Sequence, residues 1–395
     1  MNREDMIRQF HDVYGTADGD VRVFRAPGSV RLIGDHTDLT GGHVFSCALS
    51  LGMYGAAGMS SRPGIRILSR NMGGGVREIP ADGEPVFTDG QDWLHYVTDI
   101  LEMMRQAGHT PFGGLDILIE SGIPMGAGVA SSAALEMLTG IIMREMYGFA
   151  DISDDVLTRA GGSAEKNHAG LSCDGLEQFV CVQGKKGCGL FISTARESCE
   201  YVPLKFDGYS VVITDSLLRK PVAKSLLEER ETEHGKILRK LQHLVNISHI
   251  CDLELDRFQS VKDVLMNETY EKRAQYLISE DIRTIRAVSA MRVGNLNRFG
   301  EFMKESQISI MEDYEISLPE LDFLAERAWE IDGVIGSRVT GGGCGRCTVS
   351  IVKNEAVGAF CEELGSAYRE RFGREPGFYV TETADGAGEV LPHED

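Results

Sequence analysis

At 395 residues the chain exceeds the size at which one hydrophobic core keeps growing, so two domains are expected. Its composition, 42% hydrophobic and 25% charged, is that of a soluble globular protein. A formal net charge of −20 argues against nucleic acid or an anionic membrane as the main partner, since a polyanion is repelled wherever no local positive site meets it. The amino terminus, MNREDMIRQF, lacks the apolar h-region of a signal peptide, and no window reaches the uninterrupted apolar length of a membrane span. Nine cysteines, an odd number scattered over a long chain, read as reduced thiols in a cytoplasm. Cys344 and Cys347 form a C-x-x-C, but with no second pair and no nearby His they read as packed thiols rather than a zinc site.

In chain order, Met1–Tyr14 has the pattern of an amphipathic helix. VRVFRAPG (Val21–Gly28) alternates like a strand that stops at Pro27-Gly28. SVRLIGDHTDLTGGHVFSCAL then reads as strand, polar loop, turn at Gly41-Gly42 and strand. The loop gathers Asp35, His36 and Asp38, a cluster for which a solvated turn and a functional loop stay equally open. Ile65–Ser69 is expected to be a strand, and Gly73–Gly75 a turn. Trp93–Met104 places Trp93, Tyr96, Val97, Ile100, Leu101 and Met104 on one helical face, a core stripe.

LDILIE (Leu115–Glu120) has the β-branched, apolar character of a strand, and IPMGAGVASSAALEM (Ile123–Met137) follows it. Glycines at 126 and 128, two serines and then an apolar helix over Ala133–Tyr147 make a strand–turn–helix arrangement suited to an anion. The glycines admit close backbone approach, and the free N–H groups at the helix start carry positive dipole charge. No Lys follows in a Walker pattern, and Ser131 stands where a dinucleotide fingerprint has its third glycine. A glycine-rich turn that merely packs tightly is the competing reading.

Beyond it, Leu157–Gln178 carries Glu165, His168, Asp174 and Glu177. Phe179–Val182 and Gly189–Thr194 read as paired strands around GKKG. A polar link near Phe206–Tyr209 ends the first half, and VVITD (Val211–Asp215) restarts the pattern. A charged helix is expected over about 223–245, with further helices over Tyr270–Met291 and Asn295–Ile310. Ser317 is a plausible N-cap with Pro319 just inside the next helix. RVTGGGCGRCTVSIV (Arg338–Val352) is a second glycine loop running into a strand.

Five of these segments, in this order, resemble the galactokinase family within the GHMP small-molecule kinases. APGSVRLIGDHTDLTGG is similar to its signature APGRVNLIGEHTDYNGG, and IPMGAGVASSAALEM to its phosphate loop. AEKNHAGLSCDGLEQFV resembles AEHEFVGVPCGIMDQFV, ESQISIMEDYEISLPELD resembles ESHxSLRDDYEVSxPELD, and SRVTGGGCGRCTVSIV resembles the third motif. The resemblance implies a two-lobed α+β fold, with lobes over residues 1–205 and 206–395 and ATP and sugar meeting between them. It places Gly126, Ala127, Gly128, Val129, Ala130, Ser131 and Ser132 around the nucleotide phosphates, with Ser69 as a further nucleotide contact. Ser132 and Glu165 fall on the Mg²⁺ ligands, a hydroxyl and a carboxylate suited to a hard cation. Asp35, His36 and Asp38 fall on the ligands of the sugar hydroxyls.

Departures from the family pattern concentrate on the acceptor side. The family's catalytic Asp is Glu177 here, and its partner Arg is Ser29. The Glu of E-H-T-D is Asp35, a Gly beside the sugar is Asp174, and a Tyr of S-x-Y-x-x-R corresponds to Leu227. Glu177 keeps a carboxylate for general-base chemistry. If Ser29–Leu32 is a strand, Arg31 projects from the same face as Ser29 and supplies the cation that Ser29 lacks. Asp174 would add a carboxylate toward the sugar. The expected activity is ATP- and Mg²⁺-dependent phosphorylation of a monosaccharide, galactose to galactose 1-phosphate, by a cytoplasmic monomer or small homo-oligomer. A kinase for another sugar or sugar derivative, and a non-catalytic sugar or ATP sensor, are the alternatives.

Overall fold

The structure is a computed structural model that describes residues 2–81, 87, 92–168, 175–218, 224–341 and 345–392, and of residues 165–168 and 224 the backbone alone. After helix α1 (Arg3–Tyr14) come strands β1 (Arg22–Ile33), β2 (His43–Ser60), β3 (Gly64–Ser69) and β4 (Arg77–Ile79), helix α2 (Leu94–Gln106), strand β5 (Gly114–Ser121) and helices α3 (Ser131–Tyr147), α4 (Asp154–His168) and α5 (Leu176–Gln183). A hairpin, β6 (Cys188–Ser193) and β7 (Ser198–Pro203), leads to β8 (Tyr209–Asp215). The remainder runs α6 (Lys224–Leu241), α7 (Leu255–Val261), α8 (Glu268–Arg292), α9 (Leu296–Ser309), α10 (Pro319–Ala328), β9 (Val334–Thr340), β10 (Cys347–Lys353), α11 (Val357–Phe372), β11 (Gly377–Thr381) and β12 (Gly388–Glu389).

Two sheets organise these elements. The first has the order β12-β1-β2-β5-β3-β4, with β6 and β7 continuing from β2; the second is β11-β8-β10-β9. The β3–β5 pair is parallel, and the register sets Ser69 opposite Ile119, just before the glycine loop. The chain end returns to the first sheet, where Glu389 lies opposite Phe24. Helix α3 is buried on nearly every side, from Ala133 through Met143, as its all-round apolar sequence requires. It lies against β1, β2 and α2 and is the element on which the glycine loop is mounted. A second core gathers α6, α8 and the segment around Tyr314 beneath the other end of the polar loop. No helix among the described residues is long and apolar enough to cross a membrane.

Most elements lie where the periodicity sets them, and three differ. Strand β1 does not stop at Pro27-Gly28 but runs through to Ile33, with a register shift between Pro27 and Ser29. A bulge tolerates a residue without an N–H, so Pro27 bends the strand instead of ending it. Phe179–Val182 is helical, inside α5, and the hairpin partner of Cys188–Ser193 is instead Ser198–Pro203. That run is apolar throughout, and a short run without period reads equally as buried strand or buried helix. The cap of α10 is Leu318, with Pro319 at the first turn; the Ser317 hydroxyl bonds the Asp322 carboxylate rather than a backbone N–H. Cys347 is buried as a free thiol, while Cys344 lies outside the described residues.

Candidate active site

The glycine loop is a backbone-built site. Strand β5 ends at Ser121 and α3 begins at Ser131, and between them Gly126 and Gly128 take φ of 68° and 86°. Ala130, the residue that caps α3, also sits in the left-handed region at φ 58°, a conformation rare for a side-chain-bearing residue and concentrated at functional sites. Its side chain satisfies none of the first-turn N–H groups, so these point out of the helix end toward the loop's mouth. Gly126 N donates to Ser131 Oγ at 3.4 Å, closing the loop on the helix start. Gly128 is fixed by close approach: a Cβ there would stand 2.4 Å from Gly345 Cα, where the second glycine loop interlocks with the first. Arg346 N donates to Ala127 O at 3.2 Å across the same seam.

Facing this loop is a network of charged side chains in which Arg31, Asp35 and Arg338 are buried and Asp38 and Glu177 half-buried. Arg31, 7% exposed, donates through Nη2 to Glu177 Oε1 at 2.9 Å and pairs with Asp38 Oδ2 at 3.2 Å. Its Nε lies 3.8 Å from Asp35 Oδ1. Burial alone would lower the Arg31 pKa, but the carboxylates of Asp38, Glu177 and Asp35 outweigh it and hold the guanidinium charged. Asp35 is buried too; burial pushes its pKa up, while Arg338 first and then Arg31 pull it below the usual carboxylate range. Arg338, on β9 and fully buried, forms an ion pair with Asp35. Ser29 and Arg31 do share a face of β1, and together with Glu177, Gly128, Ala130 and Gly341 they line one cavity. The carboxylate, the guanidinium and the phosphate-type loop thus open on a common space.

Beneath them, His36 sits at φ 65° with its ring 4.8 Å from that of Tyr314. Its Nε2 is buried without a hydrogen-bond partner among the described residues, and burial lowers its pKa, keeping the ring neutral. The Tyr314 hydroxyl and His234 Nε2 share a hydrogen bond of 2.9 Å, and burial brings the His234 pKa down to about 3. The loop is braced from α8: Tyr276 Oη donates to Asp35 O at 3.1 Å, and Glu280 Oε1 accepts from Gly34 N at 3.0 Å.

The structure therefore brings Arg31, Asp35, Asp38 and Glu177 into one cluster, with His36 in contact with it through the loop they share. Ser132 lies in the first turn of α3, half-buried. Ser69 is buried at the end of β3, where its Oγ accepts from Met72 N at 3.3 Å. Glu165 has its backbone in α4 and its side chain outside the description; Asp174 lies wholly outside the described residues. Leu227 is buried in the second core, its side chain spent on packing. Sequence reasoning passed over Arg338, Tyr314 and His234. The first two stand inside quoted motifs, SRVTGGG and MEDYEIS, but nothing in their spacing shows that they meet Asp35 and His36. Among the described residues no group of three or more His, Cys, Asp or Glu could hold a metal ion.

The chain is similar to known proteins over nearly its whole length. Residues 8–59 match the galactokinase galactose-binding signature, residues 95–185 the GHMP kinase N-terminal domain and residues 287–370 the GHMP kinase C-terminal domain. The chain is 37% identical to a galactokinase of Clostridium acetobutylicum over 93% of its own length and 94% of the relative's. It is 34% identical to a galactokinase of Bacillus subtilis over 98% and 99% of the two chains. A crystal structure of Lactococcus lactis galactokinase complexed with galactose superposes with a TM-score of 0.90 at 30% identity, covering 98% of this chain and 99% of that one. Methanococcus jannaschii mevalonate kinase shares the fold, with a TM-score of 0.66 at 17% identity over 93% of this chain and 100% of that one.

Proposed function

This chain belongs to the galactokinase family of GHMP kinases, and from that premise we propose that it transfers the γ-phosphoryl group of ATP to galactose, giving galactose 1-phosphate and ADP, with Glu177 as the base. The observation that carries the reading is the Arg31–Glu177 ion pair of 2.9 Å, set on the cavity that the phosphate loop also lines. Arg31 Nη2 donates to Glu177 Oε1, which orients the carboxylate on the cavity where the sugar hydroxyl would sit. As the sugar oxygen bonds to the γ-phosphorus, its proton passes to Glu177 and ADP departs. Arg31 takes the role that Ser29 vacates, balancing the carboxylate and facing the charge that develops on the phosphoryl oxygens. Glu177 is one methylene longer than the family's Asp, and a cation two residues along the same face of β1 suits a base displaced by that length.

Asp38 and the unpartnered Nε2 of His36 are the polar groups proposed to read the sugar hydroxyls. Asp35, tied to Arg338 and Arg31, would orient Arg31 more than it binds sugar directly. Asp174 is proposed to reach the sugar from the segment before α5. On the donor side the first-turn amides of α3 and the loop Gly126–Ser132 would hold the phosphates, with Ser69 near the nucleotide. One hydroxyl and one carboxylate, Ser132 and Glu165, make an all-oxygen donor set that fits Mg²⁺, which keeps most of its waters. When bound, that ion would neutralise charge on the transferring phosphoryl group. The same reading divides the lobes at residues 205 and 206 and has the protein working in the cytoplasm, as a monomer or small homo-oligomer.

A coupled ADP-release assay with Mg·ATP and a panel of monosaccharides tests it. Turnover of galactose supports the proposal. Turnover of a different sugar alone would reassign the acceptor, and thermal stabilisation by a sugar without turnover would make the protein a sensor.

A further inference from the structure

The phosphate loop carries no cation of its own: Ile123–Ser132, IPMGAGVASS, contains neither Lys nor Arg. A chain of net charge −20 that binds a nucleotide polyphosphate needs local positive charge to meet it. A guanidinium reaches the Gly126 turn from another part of the sequence. Arg346, next to β10 in the second sheet, grips Asp215 at the end of β8 side-on, with Nε 2.7 Å from Oδ1 and Nη2 3.0 Å from Oδ2. Nη2 also donates to Met125 O at 3.2 Å, inside the phosphate loop. That arrangement turns the third nitrogen, Nη1, away from Asp215 and over the turn at Gly126, 3.9 Å from where a Cβ of that glycine would stand. Nη1 has no hydrogen-bond partner among the described residues, and the Arg346 side chain is 23% exposed at the loop's open edge. Asp215 is buried, so it acts as a fixed anchor for the fork.

We propose that Arg346 is a nucleotide-binding residue of this kinase, its Nη1 donating to the polyphosphate chain of ATP or ADP at the Gly126 turn. The second glycine loop thereby contributes the cation that the first one lacks. The bidentate grip on Asp215 and the bond to Met125 O hold the guanidinium in place before the nucleotide arrives, so little side-chain freedom is lost on binding. The inference rests on the reading of the chain as an ATP-using kinase but not on which sugar it phosphorylates.

The test is calorimetric binding of ADP and of adenosine in magnesium buffer without sugar. Removing Arg346 alone would strand a buried Asp215, so the informative variants are D215N/R346Q, which removes both charges, and D215N, which keeps the guanidinium. We expect ADP to bind D215N/R346Q about 10-fold more weakly than wild type, the size of one charge-assisted hydrogen bond. Adenosine should change by less than about 2-fold, and D215N should lose only part of the ADP affinity, about 3-fold, because its cation remains while one arm of the grip is gone. Unchanged ADP affinity in D215N/R346Q would overturn the inference. So would equal losses for ADP and adenosine, or a D215N loss as large as that of the double variant, since each makes Arg346 a strut between the loops. Wild-type protein that bound neither ligand would overturn the kinase reading as well.

Discussion

The donor and acceptor sides of the cleft are built from different materials. On the proposed donor side the groups on offer are backbone amides at the start of α3, and the geometry is fixed by glycines, by Ala130 in a left-handed conformation and by two interlocked loops. On the proposed acceptor side they are side chains, fixed by a web in which Arg31, Arg338 and Asp35 are buried and Asp38 and Glu177 half-buried. Backbone amides are the same in every sequence, so the donor side survives substitution provided the turn is kept. A charge web has no such tolerance, because removing one member leaves a buried partner uncompensated. Departures from the family pattern on the acceptor side therefore come as a set, Ser29 and Glu177 with Arg31.

The sharpest way to break this contrast is Glu177→Gln, which keeps the side chain's size and its acceptor for Arg31 but abolishes the base. We expect kcat for galactose to fall by about 10³-fold with the melting temperature held, read by coupled ADP release. Retained turnover would remove Glu177 from the chemistry. On the donor side, Ser132→Ala deletes the hydroxyl proposed to hold the metal and leaves that of Ser131 on Gly126 N. Its kcat/KM for Mg·ATP is expected to drop about 10²-fold while galactose affinity holds, and near-normal turnover would unseat Ser132 as a metal ligand.

Arg31→Lys preserves the charge but not the planar guanidinium, whose Nη2 meets Asp38 and Glu177 while Nε faces Asp35. A fall in kcat of about 10-fold is expected, and the double variant with Glu177→Gln should be little worse than Glu177→Gln alone, as for groups acting as a unit. Additive losses would separate the two residues and make Arg31 a structural cation. The smallest effect on turnover concerns the acceptor side's foundation. His234 must be neutral in the fold, its pKa lowered by burial to about 3, whereas in the unfolded chain it takes up a proton near 6.5. The unfolded state thus binds more protons as the pH falls below 6.5, and stability drops with acidification through that window. Between pH 6.5 and 5 the loss is expected to approach about 2 kcal/mol, and His234→Gln should flatten that slope while costing little activity at pH 7.5. Parallel denaturation curves for the two proteins at both pH values would refute the assignment.

The donor side was legible because strand, glycine turn and buried helix are local patterns. Ile123–Met137 announces its own geometry, and the all-round apolar Ala133–Tyr147 announces its burial. The placement of Ser29 and Arg31 on one face was equally local, since alternation along a strand needs no partner. What escaped the sequence was whatever depends on distance in space. Phe179–Val182 reads as a strand, but it coils as part of α5, with Val180, Cys181 and Val182 buried and Phe179 only partly so. Pro27 reads as a stop, but the bulge against β2 absorbs its missing N–H.

By itself, then, the sequence determined the two glycine loops, the polar loop Asp35–Asp38, the carboxylate at 177 and the family to which they belong, all through short contiguous motifs. Only the tertiary structure decided which charge meets which. Arg338 reaches Asp35 across 303 positions of sequence, and Arg346 reaches Asp215 across 131. The physical reason is that buried ion pairs are selected by position and desolvation, not by spacing along the chain: Arg338 reads as an ordinary surface charge until β9 brings it under the same loop as Arg31.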